Sequence, residues 1–197
     1  MLSTTLLEKL NRQVTLEAEA SSIYLQMSAW LLSQSLDNTA RFFRHHAEEE
    51  RHHMLRLFDY INETGATAHI AAIPEPDTDY DTLISLMECA CREEERLTTH
   101  INELVNAALE EKDFSTFQFL QWYVAEQHEE EHLFSSLLHK ARIINTLDGR
   151  ALFRFDEEVR KSGLHIPRHH HEHEGRDSHD PHRHHPCNEH HTEHHAS

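Results

Sequence analysis

Four long segments of this chain repeat apolar residues at alternating steps of three and four, and polar ligand-type residues break each of the four stripes near its middle. Such steps match the turn of an α-helix, so each stripe is one face of a helix that has to be buried against others. The first stripe is Leu7, Leu10, Val14, Glu17, Ser21, Tyr24, Ser28 and Leu31, with Ser3 or Thr4 as cap and an end near Gln34. The second is Phe43, Ala47, Glu50, Met54, Leu57 and Ile61, between a cap at Asp37 or Asn38 and the stop signal Gly65. The third, over about Asp81 to Glu111, is Leu83, Met87, Ala90, Glu94, Leu97, Ile101, Leu104 and Ala108. The fourth, over about Phe114 to Asn145, is Thr116, Leu120, Tyr123, Gln127, Glu130, Phe134, Leu137 and Ala141. With only four Gly and five Pro in 197 residues, the chain is expected to be all-α, a four-helix bundle in one domain with an appendage. The first helix has a second apolar row, Leu16, Ala20, Ile23, Met27 and Trp30, which reads either as a wide core face or as a contact with another subunit.

The connections set the topology. About three residues join the first and second segments, and Lys112 and Asp113 join the third and fourth, so each pair is antiparallel. Residues 65 to 80, with Pro74 and Pro76, are long for a loop. A helix of about 28 residues is roughly 42 Å long, and about 16 extended residues can run that length. The segment is therefore expected to be a crossover that sets the third helix parallel to the second.

In that topology the interruptions Glu17, Glu50, Glu94, Gln127 and Glu130 meet at one level of the core, joined by His53, which shares a helix face with Glu50 at i, i+3. A lone buried carboxylate is unfavourable unless it is paired or bound to metal. Hard oxygen donors with one nitrogen suit two iron or manganese ions. Taken singly, each of these residues reads as easily as a solvated or salt-bridged side chain; four coincident interruptions do not. Glu49, Glu126 and Glu129 adjoin the ligands in sequence and form either a further cation site or a charged face. Tyr24, two turns from Glu17, either acts beside the metals as an electron or hydrogen-bond donor or packs as a core tyrosine.

Composition excludes other classes. The net charge is −17, of which residues 164–197, with three Lys/Arg and six Asp/Glu, supply only −3. The remaining −14 disfavours nucleic acid and anionic membrane as partners and concentrates cations. Cys89, Cys91 and Cys187 make no disulfide framework, and no stretch reads as a membrane span or leader, so a cytoplasmic protein is expected.

The segments Leu25-Gln26-Met27-Ser28-Ala29-Trp30, Arg56-Leu57-Phe58-Asp59-Tyr60, Ile101-Asn102-Glu103-Leu104 and Phe119-Leu120-Gln121-Trp122-Tyr123, with Glu126-Gln127-His128-Glu129-Glu130-Glu131, closely resemble bacterial non-haem ferritin over about residues 1 to 160. Carboxylates and Glu-x-x-His motifs lining the interior are already the general description of ferritin-like bundles, so the convergence agrees with that pattern without being independent of it. The resemblance implies a short fifth helix at about Arg150 to Lys161 and a hollow homo-oligomeric cage of twenty-four subunits. It implies that Glu17, Glu50 and His53 hold one iron, that Glu94 and Glu130 hold the second with Glu50 bridging, and that Gln127 lies beside it. It further implies a third iron site at Glu49, Glu126 and Glu129, and a functional tyrosine at Tyr24. Haem is not expected: where bacterioferritin has its haem-ligating Met after the first motif's Glu, this chain has Arg51, and its second Glu-x-x-His is here Gln127-x-x-Glu130. Rubrerythrin would need a Cys-x-x-Cys module that the chain lacks.

The tail departs from that family. Residues 165–197 hold thirteen of the 22 histidines, with no apolar set to bury, so the boundary is drawn between a bundle at 1–163 and a disordered His-rich segment at 164–197. The histidines read as a metal-sequestering or metal-delivering device, or as a solubilising one. The expected function is iron storage with ferroxidase activity. Fe(II) is oxidised by O2 or peroxide at the di-iron site and deposited as ferric oxyhydroxide. The alternatives are a non-catalytic metal buffer or chaperone working through the tail, and a di-iron peroxidase.

Overall fold

The computed structural model describes residues 2–144 and 149–161. Among them the chain forms five helices: α1 (Thr4–Ser33), α2 (Asp37–Glu63), α3 (Leu83–Glu110), α4 (Phe114–Ile144) and α5 (Gly149–Lys161). None is long and apolar enough to cross a membrane. All described residues belong to the unit Met1–His165; the His-rich segment, with Cys187, lies outside the described residues.

Local chemistry sets most of the helix ends. Ser3 accepts a hydrogen bond from the Leu6 amide at 3.0 Å and starts α1. Thr82 and Ser85 form a reciprocal capping box, so α3 starts just inside the expected Asp81. Asp113 accepts from the Thr116 amide at 3.1 Å and its hydroxyl at 2.8 Å, opening α4. Gly65, at φ +83°, follows the end of α2 in the left-handed conformation that glycine adopts without strain.

The start of α2 corrects the sequence reading. Neither Asp37 nor Asn38 caps it; Leu36 occupies the cap position and has no side chain that can accept a hydrogen bond. The acceptor comes instead from α5, in the buried carboxylate of Asp156. Asp156 takes the Thr39 amide at 2.8 Å and hydroxyl at 2.7 Å, and the Asn38 amide at 3.3 Å and side-chain nitrogen at 2.7 Å. A carboxylate there also faces the positive end of the α2 dipole.

Helix α1 packs against α2 and α3, α3 against α4, and α5 against α2 and α4. The crossover runs along α1, as its length requires. The His69 amide donates to Asn11 at 2.7 Å, the Ala71 amide donates to Thr15 at 3.0 Å, and Tyr80 meets Trp30 edge to face at 5.7 Å. It thus travels from the start of α1 to its end, which sets α3 parallel to α2.

Every position of the α3 and α4 stripes is buried. In the second row of α1, Leu16, Ala20 and Met27 are buried within the chain, and Ile23 and Trp30 pack against the same cluster, so this row is a core face here. The core consists of two apolar clusters. One is built around Tyr24, Met27, Phe43, Met87, Phe134 and Phe155, the other around Leu10, Val14, Leu57, Ile101, Leu120 and Tyr123. Along α1, α2 and α4 the changeover from one cluster to the other falls at Glu17, at Glu50 and His53, and at Gln127 and Glu130.

Removing the remote cap is expected to destabilise the bundle. Asp156→Ala should lower unfolding stability by about 1–3 kcal/mol, with Asp156→Asn, which keeps an acceptor, losing less. Guanidinium unfolding followed by circular dichroism measures this, and an unchanged midpoint in Asp156→Ala would contradict the remote-cap account.

Candidate metal centre

Glu17, Glu50 and His53 are fully or almost fully buried, and each brings a ligand atom within 4.8 Å of the others'. Residues one turn away or on the facing helix hold each of them. Gln13 donates to Glu17 Oε1 at 2.9 Å. His53 Nδ1 lies 3.2 Å from Glu50 Oε2, and the His53 carbonyl accepts from the Tyr123 hydroxyl at 2.8 Å. Trp122 meets the His53 ring edge to face at 5.2 Å, with the Arg56 guanidinium 4.4 Å over the indole.

Deeper toward α3 a second group forms from His46, Glu50 and Glu94, and a third from His46, Glu49 and Glu130, by the same 4.8 Å criterion. Glu50 is common to the first two groups and lies between Glu17 and Glu94. The Tyr24 hydroxyl donates to Glu94 Oε1, and Gln127 donates to Glu94 Oε2 at 3.2 Å while meeting Thr98 at 3.4 Å. Tyr24 is fully buried and stacks on Phe134 at 5.5 Å, so it is both a packed core residue and a hydrogen-bond donor to a candidate ligand.

His46 is the residue that sequence reasoning missed. It is 1 % exposed, with Nε2 3.4 Å from Glu50 Oε1, Glu94 Oε1 and Glu130 Oε2 and Nδ1 3.1 Å from Glu49 Oε2. The signal was available: His46 lies one turn before Glu50 on the same face of α2. The stripe was drawn through its neighbour Ala47 instead.

The electrostatics of the cluster are adverse. Burial, and then the charge of Glu50, holds the Glu17 carboxyl well above the usual carboxylate range. Burial, and then Glu94, does the same to Glu50. Glu130 is pushed up to about 7, first by burial, with His46 opposing and Glu94 reinforcing. Burial alone would lower His46, but the charge of Glu130 and the bonds to Glu49 and Glu94 outweigh it and raise the imidazole. Glu17 Oε2, Glu50 Oε1 and Glu130 Oε2 are buried without a hydrogen-bond partner; His46 Nε2 approaches the last two at ion-pair distance without the alignment of a hydrogen bond. Three orphaned carboxylate oxygens in one cluster are strongly unfavourable in a bare core. A cation among them removes the penalty, and hard oxygens with imidazole suit iron.

Of the expected third set, Glu49 is buried against His46 and also lies 3.3 Å from His45 Nδ1; Glu126 is half-buried and Glu129 exposed. Burial raises the Glu126 carboxyl, with His53 opposing and the charges of Glu129 and Glu49 adding to the rise.

The chain matches the ferritin-like domain family over residues 7–144. It is 48 % identical over 159 residues to a bacterial non-heme ferritin-like protein of Haemophilus influenzae, spanning 81 % of this chain and 96 % of that one. It is 43 % identical, with the same coverage, to bacterial non-heme ferritin of Escherichia coli. Among solved structures, Chlorobium tepidum ferritin is 67 % identical with a TM-score of 0.73, covering 82 % of this chain and 99 % of that chain. An open-pore ferritin from Archaeoglobus fulgidus is 36 % identical with a TM-score of 0.78, covering 81 % and 98 %. With the family matched across the bundle that carries the buried carboxylates, the chain belongs to the ferritin family.

Proposed function

We propose that this protein stores iron and oxidises it on the way in. The observation that carries the reading is the set of buried carboxylate oxygens without partners, drawn from three helices to one level of the core. Glu17, Glu50 and His53 bind one Fe(II); Glu94 and Glu130 bind a second, with Glu50 between them. Gln127 steadies Glu94, and Tyr24 holds its other oxygen. Two Fe(II) give up two electrons. With O2 as oxidant, the electrons and two protons leave as hydrogen peroxide; with peroxide, they leave as two waters. Hard anionic oxygens favour the ferric product over the ferrous substrate, which drives oxidation. Glu49, Glu126 and Glu129 take a third ion and pass Fe(III) to the interior of a twenty-four-subunit cage, where it mineralises as ferric oxyhydroxide. The relatives that carry the ferritin name support storage. Glu50→Ala should abolish the fast phase of aerobic Fe(II) oxidation in stopped-flow absorbance, and a wild-type rate would refute the assignment.

The raised Glu130 carboxyl gives the reaction a pH dependence. Fe(II) needs the ionised form, so protonation competes with binding as pH falls through about 7. The folded carboxyl lies above its unfolded value of 4.5. Its contribution to metal-free stability is therefore full below 4.5 and lost as pH rises through about 7. Bound metal relieves that loss. The thermal shift produced by anaerobic Fe(II) should accordingly grow between about pH 6 and about pH 8, and a shift that shrinks or stays flat over that range contradicts it.

A second reading rests on the thirteen histidines of residues 165–197: the segment captures borderline metal ions, as a metal buffer or as a feeder for the bundle. Equilibrium dialysis of Zn(II), Ni(II) and Fe(II) against the full chain and against residues 1–164 should give more ions per full chain, and equal stoichiometry would end this reading. Aerobic Fe(II) loading followed by sizing and iron counting separates storage from its rivals. A mineral-filled cage supports storage, a few ions per chain support a buffer, and peroxide turnover without accumulation supports a peroxidase.

A further inference from the structure

The donors gathered in the mid-bundle groups are carboxylate oxygens and imidazole nitrogens. A different set lies on the solvent side of α3 and α4. Cys91 and Glu95 stand one turn apart on α3, and His128, Glu131 and His132 follow one another around a turn of α4. All five line one open groove of about 410 Å³. We propose that this groove binds a borderline divalent cation of the Zn(II) class, held by Cys91, His128 and His132 with Glu95 or Glu131 as the fourth donor. The site stands apart from the ferroxidase reading and does not rest on it.

Three observations carry the assignment. The first is register. Gln127 meets Glu94 at 3.2 Å and Arg142 meets Glu88 at 2.7 Å, so the turn of α3 from Cys91 to Glu95 runs beside the stretch of α4 that carries His128 and His132. The second is spacing. His128 and His132 are i, i+4, the separation at which a helix offers two imidazoles to one zinc ion from a single face. The third is donor chemistry. A thiolate and two imidazoles with one carboxylate form a soft-to-borderline set, which favours Zn(II) over the harder ions that oxygen donors suit. Neither Lys nor Arg lines the groove to repel a cation.

The groove works differently from the buried cluster. The mid-bundle groups already hold three ligand atoms within 4.8 Å of one another, whereas no three of the groove donors do. Glu95, His128 and His132 are exposed and Cys91 is half-buried, so rotation of the exposed side chains closes the set on an arriving ion. Burial, and then the charge of Glu95, holds the Cys91 thiol above its ordinary value, with Arg142 opposing. The sulfur therefore carries its proton near neutral pH and gives it to solvent as the sulfur–metal bond forms. An ion held there ties α3 to α4 and gives the protein one place for Zn(II) and another for iron.

Co(II) is the spectroscopic probe, because a thiolate ligand gives it an intense near-ultraviolet charge-transfer band that oxygen and nitrogen donors do not. The full chain carrying Cys187→Ser, so that the His-rich segment contributes no thiolate, is titrated anaerobically with Co(II). The band should appear, and Zn(II) should abolish it by displacement. It should be lost when Cys91→Ser is added, and lost again in the double variant His128→Ala/His132→Ala. It should survive in Cys89→Ser, whose side chain lines a different cavity. Far-UV circular dichroism checks that each variant is folded. No band in the Cys187→Ser chain, or a band that persists in Cys91→Ser, overturns the proposal. Crystals of the full chain soaked in Zn(II) give the direct view. An anomalous peak within about 2.3 Å of Cys91 Sγ and about 2.1 Å of a His128 or His132 nitrogen is expected, and peaks confined to the mid-bundle cluster overturn it. Either result leaves the storage reading to be decided by Glu50→Ala.

Discussion

Everything in this fold is arranged around negative charge held out of water. Glu17, Glu50, Glu94 and Glu130 occupy one layer of the core, with the imidazoles of His46 and His53, the amides of Gln13 and Gln127 and the Tyr24 hydroxyl as their polar company. Like charges at this range repel more strongly as the surroundings become less polarisable. The metal-free bundle answers by holding protons on groups that would shed them at the surface. Those protons occupy the places that dications can take, so the same strain that burdens the fold prepares it to bind.

The polar layer also explains the form of the core. A bundle of this length could bury one continuous apolar seam, yet here two clusters lie on either side of the buried carboxylates, with large aromatic side chains at the margins: Phe43 and Phe134 on one side, Tyr123 on the other. These rings exclude water and hold the ligand-bearing turns in register. Their packing is what makes it possible for flexible glutamates to point inward at all. The stability lost in the middle is offset by tight apolar packing at both ends.

Much of this was legible in the sequence because helix periodicity is strict over thirty residues. The four stripes, the crossover and the level at which Glu17, Glu50, Glu94, Gln127 and Glu130 meet all follow from steps of three and four and from the lengths of the connections. His46 carries a signal, one turn before Glu50, but a stripe through Ala47 already accounts for that turn of α2, and periodicity alone cannot say which of two adjacent residues faces a neighbouring helix. The cap of α2 was hidden for a different reason. Asp37 and Asn38 are both good local caps, and nothing near them in sequence shows that Asp156 displaces them. Local rules describe what a segment prefers in isolation, and a charged side chain brought from far along the chain can override them.

The Asp156 clasp carries a consequence for how the molecule comes into being. The chain emerges from the ribosome starting at its N-terminus, and the acceptor that closes the first turn of α2 lies 118 residues downstream of Asn38. Until α5 is made, the first turn of the helix carrying Glu49, Glu50 and His53 has only its local caps and water to meet its free amides. Only the arrival of α5 brings the buried carboxylate of Asp156 onto that end, so the helix that carries the candidate ligands is finished late, by a segment far along the chain.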